Sequence, residues 1–211
     1  MIATQVVGIS LRVGCDFASC AEFAVPLHRQ LSSGKYDECS VLEIPGSIDE
    51  WRAEHRTARK RADRCGRRGY RFAQIARCDY ADDVYEINGS LAHRQGRPMS
   101  AGYLERPRYG VELYPCDQHG VHAYGVLHGD TLVAYLWMYR AGDLALVSQI
   151  LGHAGHLENE VMYLLFEGAL EREVEYGSGV VVYNRHDSGT DGLRFFKERL
   201  GFRPVEVEWL S

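Results

Sequence analysis

Gly152-His153-Ala154-Gly155-His156 sets two imidazoles three positions apart, with Glu158 just behind them. An imidazole titrates near neutrality, so either histidine is a candidate general base, and Glu158 is another. The histidine pair has a spacing that a metal could use, but no third or fourth ligand accompanies it, and polar imidazoles in a loop are the plainer reading. Glu158 would serve equally well as a helix cap. Lys197, in Gly192-Leu193-Arg194-Phe195-Phe196-Lys197, offers a cation that could steady a developing oxyanion or a leaving oxygen. By periodicity alone it is a surface lysine of a helix whose apolar side is Leu193, Phe196 and Leu200.

Covalent catalysis finds little support. No GxSxG turn is present, and Asp187-Ser188-Gly189-Thr190-Asp191 has no verifiable triad order, so Asp191 reads as a helix N-cap. Cys15, Cys20, Cys39, Cys65, Cys78 and Cys116 lack both the paired spacing of a zinc site and the density of a disulfide scaffold. None lies in an electropositive turn, so reduced thiols in a cytoplasm are the simplest account.

Charge is uneven along the chain. The formal net charge is −5, yet Arg52 to Arg71 holds nine basic residues against two acidic ones. Arg56, Arg59, Arg67 and Arg68 are the candidates to contact a phosphate backbone, against the alternative of a solvated helix face.

The elements that must position these residues follow from periodicity. Residues 3 to 44 hold short apolar segments, TQVVGISLRV, EFAVPL and SVLEI, which predict strands. Ser47-Ile48-Asp49-Glu50 is a capping box, and Trp51, His55, Ala58, Ala62 and Cys65 form one face of the helix it opens, ended by Gly66 and Gly69. YRFAQI predicts a strand, Asp79 and Asp82 the start of a second helix, and HRQGRPMSAGYLERPRYG a loop over a binding surface. HAYGVL, TLVAYLWMYR and LALVSQIL predict a three-stranded meander whose middle strand, apolar on both parities, is central. A helix is expected from about Asn159 to Tyr176, with Glu160, Glu167, Glu171 and Glu175 on its solvent side. SGVVVYN, GLRFFKERL and FRPVEVEWL then give strand, helix and strand, with Gly201 ending the helix.

With 211 residues, 45% apolar and 25% charged, the chain suits one globular domain, 47 to 211, with an N-terminal extension, 1 to 46, packed on it. No apolar run reaches membrane-spanning length, and Arg12 and Asp16 interrupt the N-terminus too early for a secretory leader. The expected architecture is α/β, a mixed sheet flanked by helices.

This order resembles the GNAT fold, most specifically in the strand ending Tyr183-Asn184, the short helix after it and Gly201-Phe202. Two features resemble the FemABX-type branch. One is HRTARKRADRCGRRGYRF, a basic helix followed by a glycine and a strand; the other is Gly192 to Lys197 followed by Gly201-Phe202. The resemblance, over residues 50 to 209, implies an N-acyltransferase in which an amine attacks an activated acyl donor directly in a ternary complex. It needs no metal or prosthetic group, and the donor is a cosubstrate, an aminoacyl-tRNA or an acyl-CoA. Gln149, Gly152, Ala154 and Asn184 are where such a donor would be held. Gln149 to Ala154 fits the pyrophosphate string of acetyl-CoA users, but Glu158 and Glu160 put negative charge where the anion would lie, so CoA is expected to bind poorly. Lys197 stands where CoA-dependent relatives often carry a tyrosine. The alternatives are an ordinary acetyl-CoA-dependent N-acetyltransferase and a catalytically silent nucleic-acid-binding module.

Overall fold

A computed structural model describes residues 6–10, 38–94, 96–110, 119–186 and 189–210. EFAVPL lies outside the described residues. The elements run β1 (Val6–Ser10), β2 (Glu38–Glu43), α1 (Ile48–Glu54), α2 (Arg56–Arg67), β3 (Tyr70–Gln74), α3 (Ala81–Gly89), β4 (His93–Arg94), β5 (Arg97–Pro98), β6 (His119–His128), β7 (Thr131–Ala141), β8 (Leu144–Gly152), α4 (Val161–Glu175), β9 (Val180–Arg185), α5 (Asp191–Arg199) and β10 (Arg203–Leu210). Eight strands form one mixed sheet, in the order β1-β10-β2-β9-β8-β7-β6-β3, and β4-β5 is a separate hairpin. β2 sits between β9 and β10, antiparallel to both, and β1 closes the edge parallel to β10.

β7 shows why its sequence is apolar on both parities. Ala134, Leu136 and Met138 face the core shared with α1, α2 and α4, while Tyr135 and Trp137 face the opposite core with Val84 and Ile87 of α3. Helices thus cover both faces of the meander, the expected α/β packing.

Four local expectations change. Ser47 Oγ accepts from Glu50 N at 3.3 Å as a capping box requires, but the Glu50 carboxylate reaches one residue further back, to Gly46 N at 3.1 Å. The single basic helix is broken at His55 (φ −103, ψ 48), so that Trp51 Nε1 donates to Leu200 O at 2.9 Å while Ala58, Ala62 and Cys65 pack toward α4. Thr190, not Asp191, is the N-cap of α5; Asp191 occupies the first turn, where a carboxylate complements the helix dipole. Glu167 is buried rather than solvent-facing, because Arg52 Nε meets it at 2.6 Å. The loop before the meander also contains the β4-β5 hairpin.

Glu173 of α4 is fully buried beneath β6, and its carboxylate accepts from His122 Nδ1 at 2.7 Å, Tyr124 Oη at 2.7 Å and Ser178 Oγ at 2.6 Å. Burial pushes this carboxyl up, but the three hydrogen bonds and the imidazole outweigh it and hold it below the ordinary carboxylate range. A group depressed in the folded state contributes stability that is whole above its unfolded pKa and lost as pH falls through the folded one. Glu173→Gln is therefore expected to cost about 3 kcal/mol near neutral pH. It should also flatten the loss of stability of the wild type between about pH 5 and pH 3, measured as urea midpoints. A wild-type acid slope that the substitution leaves unchanged would contradict this account.

Candidate active site

β8 and β9 run parallel but pair only over Leu144 to Leu146 with Val180 to Val182. Beyond that, β8 stays on β7 as far as Gly152, and β9 stays on β2 as far as Arg185. A bulge sits at the parting: Trp137 pairs with Gln149 and Met138 with Val147, leaving Ser148 as the extra residue. Bulges bend the strand that carries them, which turns β8 away from β9.

The gap opens into a cavity of about 720 Å³, lined by Ser148 to Gly152 on one side and by Tyr183, Leu193 and Phe196 on the other. The β4-β5 hairpin and Tyr103 close a third side. Among the described residues the lining contains Arg94, Arg97 and His93 but no aspartate or glutamate.

Tyr183 is buried in the cavity wall. Burial and the neighbouring Tyr103 hydroxyl raise its pKa well above its ordinary value, so it stays protonated and able to donate at neutral pH. Behind it lies Lys197, which is fully buried and not the surface lysine that periodicity favoured. Its Nζ donates to Arg185 O at 2.7 Å and stands 4.8 Å from the centre of the Tyr183 ring. Lys197 therefore touches the cavity wall from the back and does not line the cavity.

His153, His156 and Glu158 do not line the cavity either. The two histidines join His128 and Tyr70 in an aromatic cluster, with His153 5.4 Å from His156 and Tyr70 stacked on His128 at 4.6 Å. Tyr70 Oη lies 2.8 Å from His156 Nδ1, and Gly155 N donates to His153 Nδ1 at 3.2 Å. Burial, then the neighbouring His153 and His128, lower the pKa of His156. Glu158 is exposed. Among the described residues no group of three His, Cys, Asp or Glu side chains could hold a metal. Cys65 is buried and its thiol is pushed up to about 11, mainly by burial, which suits a packed residue rather than a nucleophile.

Of the predicted donor positions, Gln149 and Gly152 line the cavity, and Ala154 N donates to Ser90 Oγ at 3.0 Å. Asn184 lies on β9, with its side chain outside the described residues. Several N–H groups in and just after the segment expected to cradle a pyrophosphate are engaged. His153 N bonds to Val133 O at 2.8 Å, His156 N to His153 O at 2.9 Å and Glu160 N to Leu157 O at 3.0 Å. Glu160 itself caps α4 in the left-handed conformation, φ 66, and its carboxylate is held by Arg64 at 2.7 and 2.9 Å and by Arg61 at 3.3 Å.

Two arginines of the basic helix, Arg61 and Arg64, are thus paired inside the molecule. Arg68 also donates to Asn159 Oδ1 at 3.1 Å, and Arg59 lies 3.8 Å from Asp63. Arg56, Arg59, Arg67 and Arg68 are all exposed. Sequence reasoning had no means of finding Tyr183, Arg94 and Arg97 as one site, since only the parting of β8 and β9 and the hairpin turn bring them together.

No protein-family profile matches the sequence, and no curated protein matches it. Solved structures do. The chain is similar to FemX, with a TM-score of 0.62 and 12% identity over 83% of this chain and 61% of that one. It is similar to the C-terminal domain of a lysylphosphatidylglycerol synthetase from Agrobacterium fabrum, with a TM-score of 0.56 and 13% identity over 80% of this chain and 57% of that one. It is also similar to L-PGS from Bacillus licheniformis, with a TM-score of 0.51 and 13% identity over 80% and 57% of the two chains. The chain spans less than two thirds of each of these structures, and at such identities the likeness establishes the fold: a GNAT-type sheet and its helices. Among the described residues no helix is long and apolar enough to cross a membrane.

The cap of α4 gives a test of local strain. Glu160→Gly removes both the arginine pairs and the cost of a side chain at positive φ, whereas Glu160→Ala removes only the pairs. The alanine variant is expected to be less stable than the glycine variant by about 1 kcal/mol in urea denaturation. Equal midpoints would mean that this backbone is unstrained.

Proposed function

We propose that this chain, with the GNAT-type fold it shares with FemX, is an acyltransferase that joins an acyl or aminoacyl group to an amine, both substrates being held together in the gap between β8 and β9. The observation that carries the reading is the placement of a protonated, buried Tyr183 in the wall of that gap with the Lys197 ammonium 4.8 Å behind its ring. The neutral amine attacks the donor's carbonyl carbon and a C–N bond forms. The carbonyl oxygen takes the electron pair and becomes an oxyanion. On collapse the bond from that carbon to the leaving oxygen or sulfur breaks. The Tyr183 hydroxyl donates to the developing charge and protonates the leaving group, and the proton lost by the amine restores it. Lys197 touches no substrate. It is a positioning residue, whose charge behind the ring favours donation from the hydroxyl.

Acyl transfer without a covalent enzyme intermediate needs only orientation and such a donor, which fits a lining that holds no cysteine among the described residues. The donor we favour is an aminoacyl-tRNA or another activated ester rather than an acyl-CoA. Support for this comes from the engaged N–H groups of His153, Ala154, Gly155, His156 and Glu160, which leave fewer for a pyrophosphate. The exposed Arg56, Arg59, Arg67 and Arg68 would then meet the phosphate backbone of the carrier.

The test supplies the purified chain with mixed aminoacyl-tRNAs or with acetyl-CoA, plus a panel of amines, and follows the products by mass spectrometry. Transfer from the tRNA donor is expected, with Tyr183→Phe slowing it by about a hundredfold to a thousandfold. Lys197→Met should lower kcat by about tenfold or more while leaving KM unchanged, the pattern of a group acting only in the transition state. Turnover within about threefold of wild type in Lys197→Met would remove that residue from the mechanism. Micromolar binding of acetyl-CoA in calorimetry, about −8 kcal/mol, would overturn the donor assignment.

A further inference from the structure

The hairpin that closes the cavity is built in a way that a solvated loop would avoid. Its ladder has two pairs, and one of them sets Arg94 directly opposite Arg97, joined through Gly96 in the left-handed conformation, φ 74. Like charges facing each other across a two-strand ladder are destabilising. Among the described residues neither arginine has a carboxylate partner, although the protein as a whole carries a net charge of −5.

Arg94 is the more constrained of the two. Its Nη1 donates to Gly152 O at 3.0 Å, and its Nη2 to Ile87 O at 2.7 Å and Ser90 Oγ at 3.0 Å, all neutral acceptors. Its Nε is buried and makes no hydrogen bond. These contacts fix a guanidinium at the end of α3 and against the last residue of β8 without cancelling its charge. Burial lowers its pKa, in keeping with a cation that no carboxylate compensates. Arg97 is exposed beside it, His93 shares the lining, and Ser100, Ser148 and Gln149 add neutral polar groups.

We infer that Arg94, Arg97 and the hairpin between them form an anion subsite at the mouth of the cavity, which holds a phosphate or carboxylate carried by a substrate. Arg94 supplies a charge fixed in place, and Arg97 the mobile guanidinium that closes on the anion. The bound anion removes the repulsion across the ladder. As the cavity's role rests on the acyl-transfer reading, the substrate class follows: at least one of the two substrates is anionic close to its reacting end. The subsite itself stands on the arginine geometry and can fail or hold independently of turnover.

The experiment measures binding alone, by chemical-shift perturbation and calorimetry on the full chain, with inorganic pyrophosphate and succinate as probes. At least one probe is expected to bind, to shift the signals of residues 93 to 100, and to weaken as salt is raised. Arg97→Glu changes an exposed side chain and should leave melting unaltered while weakening the bound probe about tenfold or more. Arg94→Lys, which keeps the charge but loses the fork, should weaken it less than Arg94→Gln. Tighter binding of pyrophosphate identifies a phosphate-bearing substrate, and tighter binding of succinate a carboxylate. The inference is overturned if neither probe perturbs the hairpin, or if Arg97→Glu binds the probe as wild type does. Anion binding without any acyl transfer would keep the subsite and fail the proposed reaction; acyl transfer without anion binding would do the reverse.

Discussion

Two parallel strands that hold together for three residues and then separate are the constraint on which this structure turns. Where a parallel pair parts, the backbone groups facing the gap lose their strand partner, and each strand is held only by the neighbour on its other side. Here β7 and β2 supply those neighbours, so the gap costs no hydrogen bonds on the far sides. The bulge at Ser148 bends β8 at the point where the partnership ends. From that follow the cavity, the lining of one of its sides by Ser148 to Gly152, and the placing of Tyr183 on the strand opposite.

Helix α4 keeps the gap in shape by charge as much as by packing. At its start Glu160 draws in Arg61 and Arg64; in its middle Glu167 holds Arg52; toward its end Glu173 gathers His122, Tyr124 and Ser178. The acidic residues of α4 thus tie α1, α2 and β6 to it, with Arg61 and Arg64 of the basic helix occupied in that work. Gly168 lets Phe72 of β3 come close: a Cβ there would meet the ring at 2.3 Å. Once these carboxylates are engaged with the helical layer, the cavity lining can stay free of them.

The order of elements was legible because its periodic signals are long. β7 read as central from its apolar residues on both parities, and α4 from its apolar face. Charge assignments were less legible, since periodicity places a residue on a face without saying what covers that face. Glu167 and Lys197 both fall at positions that read as polar surface, and both are buried, because Arg52 reaches the first and Arg185 O and the Tyr183 ring receive the second. The candidate bases lie outside the cavity lining for another reason. GHAGH adjoins the cleft in sequence, yet the 3-10 turn from Ala154 to Asn159 carries His156 toward Tyr70 instead. Arg94 and Arg97 were visible only as part of a polar loop, because their cross-strand pairing depends on the turn at Gly96.

The burial of Lys197 bears on how Tyr183 behaves. Taking an ammonium out of water costs several kcal/mol unless the surroundings return most of it, so a fold keeps one inside only where polar and aromatic groups receive it. Arg185 O and the face of Tyr183 do so here. A second titratable group lies close by: His186 is buried, and Ser40 Oγ lies 3.1 Å from its Nδ1. Burial, and then the charge of Lys197, lower the pKa of His186, which keeps the imidazole neutral through the physiological range. Of Lys197 and His186, only the lysine therefore carries a charge near neutral pH, with Glu198, Glu38 and Arg194 also acting on the imidazole. A hydroxyl meant to donate at the moment charge develops needs a field that is already in place and does not reorganise. Under the proposed reaction, a lysine locked in the interior beside a histidine held neutral provides such a field, whereas the surface lysine first expected at this position would have had its charge screened by solvent.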